Sequence, residues 1–217
     1  ITYRKLIYSS RYMKFNKLAN HETIVKTKTA LIAKGIETVL VDDEISALEK
    51  INTWIPKGAS VMNGSSVTLE QIGFVELLKS GNHQWDNLHA AIVSEKDPVK
   101  QSQLRKQALL SDYYLGSVHA LVENGEFIIA SNTGSQLPHV VYSSPNLIFV
   151  VGTQKIVPDL TEAMKRLEEY VVPLEDQHMK KLYGVGTKPN KVLIFKGESA
   201  YLGRKVRMIL VNKTLGF

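Results

Sequence analysis

The side chains best placed for chemistry in this chain fall in two polar loops and at one lysine. Asn63-Gly-Ser-Ser-Val-Thr68 sits between a short apolar strand and an amphipathic run. Gly64 permits a tight turn, and Ser65, Ser66 and Thr68 add hydroxyl donors to the free N–H groups of a new helix. That combination suits a phosphate or a carboxylate. Serines there more often do no more than cap the helix, and Thr68 with Gln71 fits a capping box. Asn132-Thr133-Gly134-Ser135-Gln136 directly follows the apolar run Phe127–Ala130. Five small or hydrogen-bonding residues at the carboxyl end of a strand occupy the position where ligand loops of α/β sheets gather. Lys155, just past the buried-strand pattern Leu147–Val151, is expected on the same sheet edge and would neutralise an anion held by the two loops.

Glu123 is the one carboxylate with a case for catalysis. It stands in Val122-Glu-Asn-Gly125, where Asn-Gly between apolar runs is a strong signal for a type I′ hairpin. A turn residue and a nucleophile or general base are both open at this point. His119 and His139 flank the stretch and are candidates to line the same site, although lone histidines are more often structural. His83 and His89, six apart, do not share a helix face, and Gly184-Val-Gly186 reads as a plain loop before Pro189. No nucleophile elbow, Walker loop or metal-ligand spacing is present.

Positioning these groups takes an alternation of elements. A helix around Ile24–Ile32 stops at Gly35, and Ile36–Val41 is a β-branched strand. Asp42 or Asp43 caps the helix carrying Ile45, Leu48 and Ile51. Ala59–Met62 is a second strand, followed by the run with Leu69, Ile72, Phe74, Leu77 and Leu78. Strand, helix, strand, helix is the cadence of a parallel sheet with crossover helices. Asp97-Pro98 starts a helix to Leu110, Tyr113–Glu123 and Glu126–Ala130 are two strands, and Asp159 caps a helix through Tyr170. Val192–Phe195 and Val206–Val211 are the last strands. No linker divides the chain, so one domain over residues 13–217 is expected.

Composition narrows the function classes. The 217 residues are 44% hydrophobic with 22% charged, enough for one sizeable core and against disorder. No apolar run approaches the roughly 20 residues of a membrane span, and no signal-peptide pattern opens the chain. A cytoplasmic, soluble protein is expected. The absence of cysteine excludes disulfides and any thiolate-bound zinc or iron–sulfur cluster within these residues. Half of the net charge of +6 comes from Arg4, Lys5 and Arg11, which have no acid beside them before Met13. Residues 1–12 are therefore expected to be a leader or upstream segment outside the core fold. Elsewhere Lys and Arg are scattered among acids, so no basic face for nucleic acid is expected.

Taken in order, GSSVTLEQIG, SDYYLGSVHALVENG, IIASNTGSQLP and IFVVGTQKIV resemble the lactate-utilisation (LUD) domain proteins, the group related to lactate utilisation protein C. The resemblance runs from about Lys17 to Phe217. It implies an α/β fold like that of sugar-phosphate isomerases and CoA transferases: a mainly parallel sheet flanked by helices, with a smaller antiparallel portion. It also implies a place in oxidation of L-lactate to pyruvate beside iron–sulfur partner proteins, with any cluster belonging to a partner. Gly64–Thr68 is similar to the phosphate loop of ribose-phosphate isomerases, and Lys155 is placed like their phosphate-binding lysine. Val122-Glu123-Asn124-Gly125 is similar to the Ser-Glu-Asn-Gly motif of CoA transferases, with Val in place of Ser. The leading expectation is a component that binds a small anionic metabolite. A stand-alone acyl-CoA transferase or isomerase using Glu123 and a purely structural partner subunit are the alternatives. A homodimer is the default assembly.

Overall fold

A computed structural model describes residues 14–217; the expected leader lies outside the described residues. Six parallel strands form the larger sheet. In spatial order they are β1 (Ile36–Val41), β10 (Lys205–Val211), β7 (Asn146–Gly152), β4 (Tyr113–Gly116), β2 (Ser60–Asn63) and β3 (Asp86–Asn87). The smaller sheet runs β8 (Ile156–Val157), β5 (Ala120–Val122), β6 (Phe127–Ser131) and β9 (Lys191–Phe195). It is mixed: β6 is antiparallel to both β5 and β9, while β5 and β8 are parallel. The α/β class and the two-part sheet arrangement expected from the sequence are both present.

The two-residue period of the strands fixes the layers. Along β7, Leu147, Phe149 and Val151 face a core shared with Leu121, Phe127, Ile129 and Phe195 of the smaller sheet. Ile148 and Val150 face the opposite way, onto Ala47 and Ile51 of the helix Glu44–Trp54 and onto Leu69, Phe74 and Leu78. The far side of the smaller sheet is closed by Ala163, Leu167, Tyr170 and Val171. Sheet, core, sheet and outer helices thus make a layered body, with the central core between the sheets.

Local signals set most helix starts. Asp43, not Asp42, accepts from Ser46 N–H at 2.8 Å; Asp97 accepts from Val99 N–H at 2.8 Å; Asp159 accepts from Glu162 N–H at 2.8 Å. Three expectations differ. Tyr113–Glu123 is not one strand: it breaks at Ser117–His119, where the chain leaves the larger sheet for the smaller. The helix begun at Asp159 does not end at Tyr170. A π-helical turn, Leu167–Val171, leads without a break into a further helix, Val172–Tyr183, and Pro173, which has no N–H to donate, falls directly after that wider turn. Finally, the Asn-Gly turn is not type I′. A type I′ turn needs positive φ at both Asn124 and Gly125; among the described residues no non-glycine has positive φ, so Asn124 does not, while Gly125 has φ 85°. Gly125 N–H donates to Val122 O at 2.8 Å and Val122 N–H to Glu126 O at 2.7 Å. This is a longer hairpin loop ending in a left-handed glycine.

Candidate functional site

The carboxyl ends of β2, β4, β7 and β10 open onto one cleft of about 620 Å³. The loop after β2 contributes Gly64, Ser65, Ser66 and Thr68, and the loop after β4 contributes Ser117 and His119. Lys155 ends a 3₁₀ turn, Thr153–Lys155, directly after β7, and Gly216 arrives from the segment after β10. Asn132, Thr133, Ser135 and Gln136 line the opposite wall. They follow β6 of the smaller sheet, not the parallel sheet as the strand–loop pattern predicts. Two sheets therefore supply the walls, a position the linear sequence cannot show. Gly134 is not in the lining; its φ is +86°, and a Cβ there would lie 2.8 Å from Lys191 Cδ.

Lys155 is the centre of the polar end. It is 3% exposed and donates to Thr68 Oγ1 at 3.0 Å and Ser117 Oγ at 3.1 Å. Among the described residues no carboxylate pairs with it. Burial pulls its pKa well below the ordinary lysine value, and the nearby Arg166 guanidinium pulls the same way. Arg166 is itself fully buried, its pKa drawn down by burial to about 10. One of its nitrogens donates to the His119 carbonyl, while Nε and Nη2 have no hydrogen-bond partner. Among the described residues no acid lies beside Lys155 to offset the cost of burying its charge, so the charged form gains most when an anion arrives. Of the lining side chains Arg105, Lys155 and Lys188 are cationic, against one acid, Glu175, whose pKa is raised chiefly by burial.

The surrounding groups are fixed in place. His119 Nδ1 accepts the Ala130 N–H at 3.1 Å, so the neutral ring carries its proton on Nε2. Burial first, then Lys155 and Arg166, holds His119 neutral, with a pKa of about 3. His139 stacks on Tyr114 with ring centres 4.5 Å apart, and its Nδ1 lies 2.9 Å from Ser144 Oγ. Burial lowers its pKa to about 4. Both histidines line the cleft. Gly64 is held between two polar tips: an added Cβ would lie 2.6 Å from Tyr114 Oη and 3.2 Å from Gln136 Oε1. A Cβ on Gly216 would come within 2.4 Å of Thr68 Oγ1 and 3.2 Å of Lys155 Nζ.

The structure also corrects the helix start after β2. Ser66, not Thr68, is the cap, accepting from Leu69 N–H at 3.3 Å, and Gln71 turns away to accept the Gly216 N–H at 2.6 Å. Thr68 is thereby free to face Lys155. Glu123 is not in the cleft lining. It pairs with Lys26 at 2.7 Å on the outside of the hairpin. Sequence reasoning missed Ser117, Gly216 and Arg166. Gly116-Ser117 after an apolar strand was a usable signal. So was an arginine at helical spacing with Ala163, Leu167 and Tyr170, which places it on the buried face. Gly216 has no such local mark.

A family model for the LUD domain matches residues 24–194, most of the chain. The chain belongs to the LUD-domain family. Among solved structures, a DUF162 family protein from Deinococcus radiodurans is similar in fold to this LUD-domain protein. It has a TM-score of 0.51 and 11% identity, over 90% of this chain and 100% of that one. The eIF2B beta structure from Chaetomium thermophilum matches with a TM-score of 0.33 and 18% identity, over 58% of this chain and 42% of that one. Comparison with curated proteins finds no match. Among the described residues of the LUD-domain protein, no helix is long and apolar enough to cross a membrane, and no three His, Asp or Glu side chains are grouped for a metal ion.

Proposed function

We propose that this LUD-domain protein binds a small organic or phosphorylated anion at Lys155 and serves organic-acid utilisation as a ligand-binding component of lactate oxidation. Family membership implies the lactate-utilisation role. The observation that carries the anion is the buried Lys155 amine, which donates to the Thr68 and Ser117 hydroxyls and has no acid beside it among the described residues. An anion entering the cleft favours the ammonium form of Lys155 and meets two hydroxyls and the neutral imidazole of His119, in a setting where water screens little. Gly64 and Gly216 keep the approach clear of side chains. The chain has no cysteine for a cluster, so electron transfer in this role falls to iron–sulfur partners.

Thermal-shift measurement with lactate, pyruvate, longer carboxylates and sugar phosphates tests the reading. At least one anion should raise the melting temperature of the wild type, and Lys155→Met should abolish that shift. A hit whose shift survives Lys155→Met places the ligand elsewhere.

A further inference from the structure

The cleft is far larger than a three-carbon anion requires, and most of what lines it beyond Lys155 is hydrocarbon. About 620 Å³ lies within the range of clefts that hold drug-sized ligands. Apolar residues next in the chain to the anion pole also line the cleft: Val67 beside Thr68, Val118 beside Ser117, and Phe217 beside Gly216. Farther along, Val172 and Met179 lie seven residues apart on the helix Val172–Tyr183, and so on one face of it; both line the cleft. Val93 adds an apolar group that is 65% exposed. Glu175, the one acid of the lining among the described residues, sits between Val172 and Met179 on that same face.

We propose that the ligand is an amphipathic anion, with one anionic head on Lys155, Thr68 and Ser117 and an unbranched or aryl hydrocarbon body along Val67, Val172, Met179 and Phe217. This rests on the anion reading of Lys155 and adds the ligand class. One charged end is bound by the buried ammonium. The body is bound because it removes apolar wall and apolar ligand surface from water together. Lactate fills only the head position and leaves the apolar wall wet, so it binds weakly.

Calorimetric titration with butyrate, hexanoate and octanoate tests the proposal. Affinity should rise by about fourfold per methylene along the series. Lys155→Met should weaken every member by a similar factor and leave that slope in place, whereas Val172→Ser should flatten the slope and spare butyrate. Equal affinity for all three acids, with Lys155 still required, overturns the amphipathic ligand and leaves the anion site standing. No binding of these acids, of lactate or of sugar phosphates overturns both.

Discussion

At the scale of single residues the site depends on what is small as much as on what is charged. Gly64 has Tyr114 Oη where a Cβ would go, at 2.6 Å, and the phenol is buried and stacked on His139. Gly64→Ala must therefore push the ring or the loop. We expect a loss of roughly 1–3 kcal/mol in chemical denaturation. Tyr114→Phe in the same chain removes the colliding oxygen and should recover most of that loss. A Gly64→Ala chain as stable as the wild type would show that the loop relaxes freely and is not held between Tyr114 and Gln136. Lysine 155 itself was legible from its place after an apolar strand. That no acid pairs with it among the described residues was not, because that is a property of every element packed around it.

At the scale of elements, the hairpin β5–β6 accounts for Glu123. Glu126 N–H donates to Asn124 Oδ1 at 2.9 Å, and Glu123 N–H reaches Val157 O of β8 at 2.9 Å. Gly125 lies so close to the helix His21–Ala33 that a Cβ would be 2.9 Å from the Ala30 carbonyl carbon. The Lys26–Glu123 pair then joins turn and helix from outside. Glu123→Gln should cost under about 1 kcal/mol, as partly exposed pairs do, and should leave ligand affinity unchanged. A large loss of binding would return Glu123 to the site. Local patterns were enough for most strands and caps, since β-branched runs and Asp caps act within a few residues. They failed where one apolar run, Tyr113–Val122, serves two sheets. Nothing in such a run says which neighbour it will pair with. The same blindness put Asn132–Gln136 on the larger sheet, whereas the loop follows β6 of the smaller one and lines the cleft through Asn132, Thr133, Ser135 and Gln136.

For the whole molecule, the buried histidines tie stability to pH. His119 and His139 have folded pKa values of about 3 and about 4, below the ordinary 6.5. The unfolded chain therefore binds more protons as pH falls through 6.5, and stability drops until the folded values are reached. Near pH 5 each histidine should cost about 2 kcal/mol relative to neutral pH. His139→Asn should remove about half of that acid sensitivity in denaturation curves; an unchanged pH profile would mean the ring is not closed off as described. The layered architecture follows from alternating apolar faces and was readable as a class. That the carboxyl ends of the larger sheet and the loop after β6 meet in one cleft is a consequence of the two sheets packing through a shared core, which no local pattern contains.

The central claim is that Lys155 supplies the charge that holds an anion. Its most direct measurement is a calorimetric titration of the best anion into wild type and Lys155→Met across a range of pH. The ammonium form is the binding form, and its pKa is depressed in the empty cleft. The wild type should take up protons on binding and lose affinity as pH rises through that lowered value, while Lys155→Met should fold but bind weakly, with neither signature. Equal affinity in the two proteins, or a wild-type affinity indifferent to pH on the alkaline side, would contradict the account.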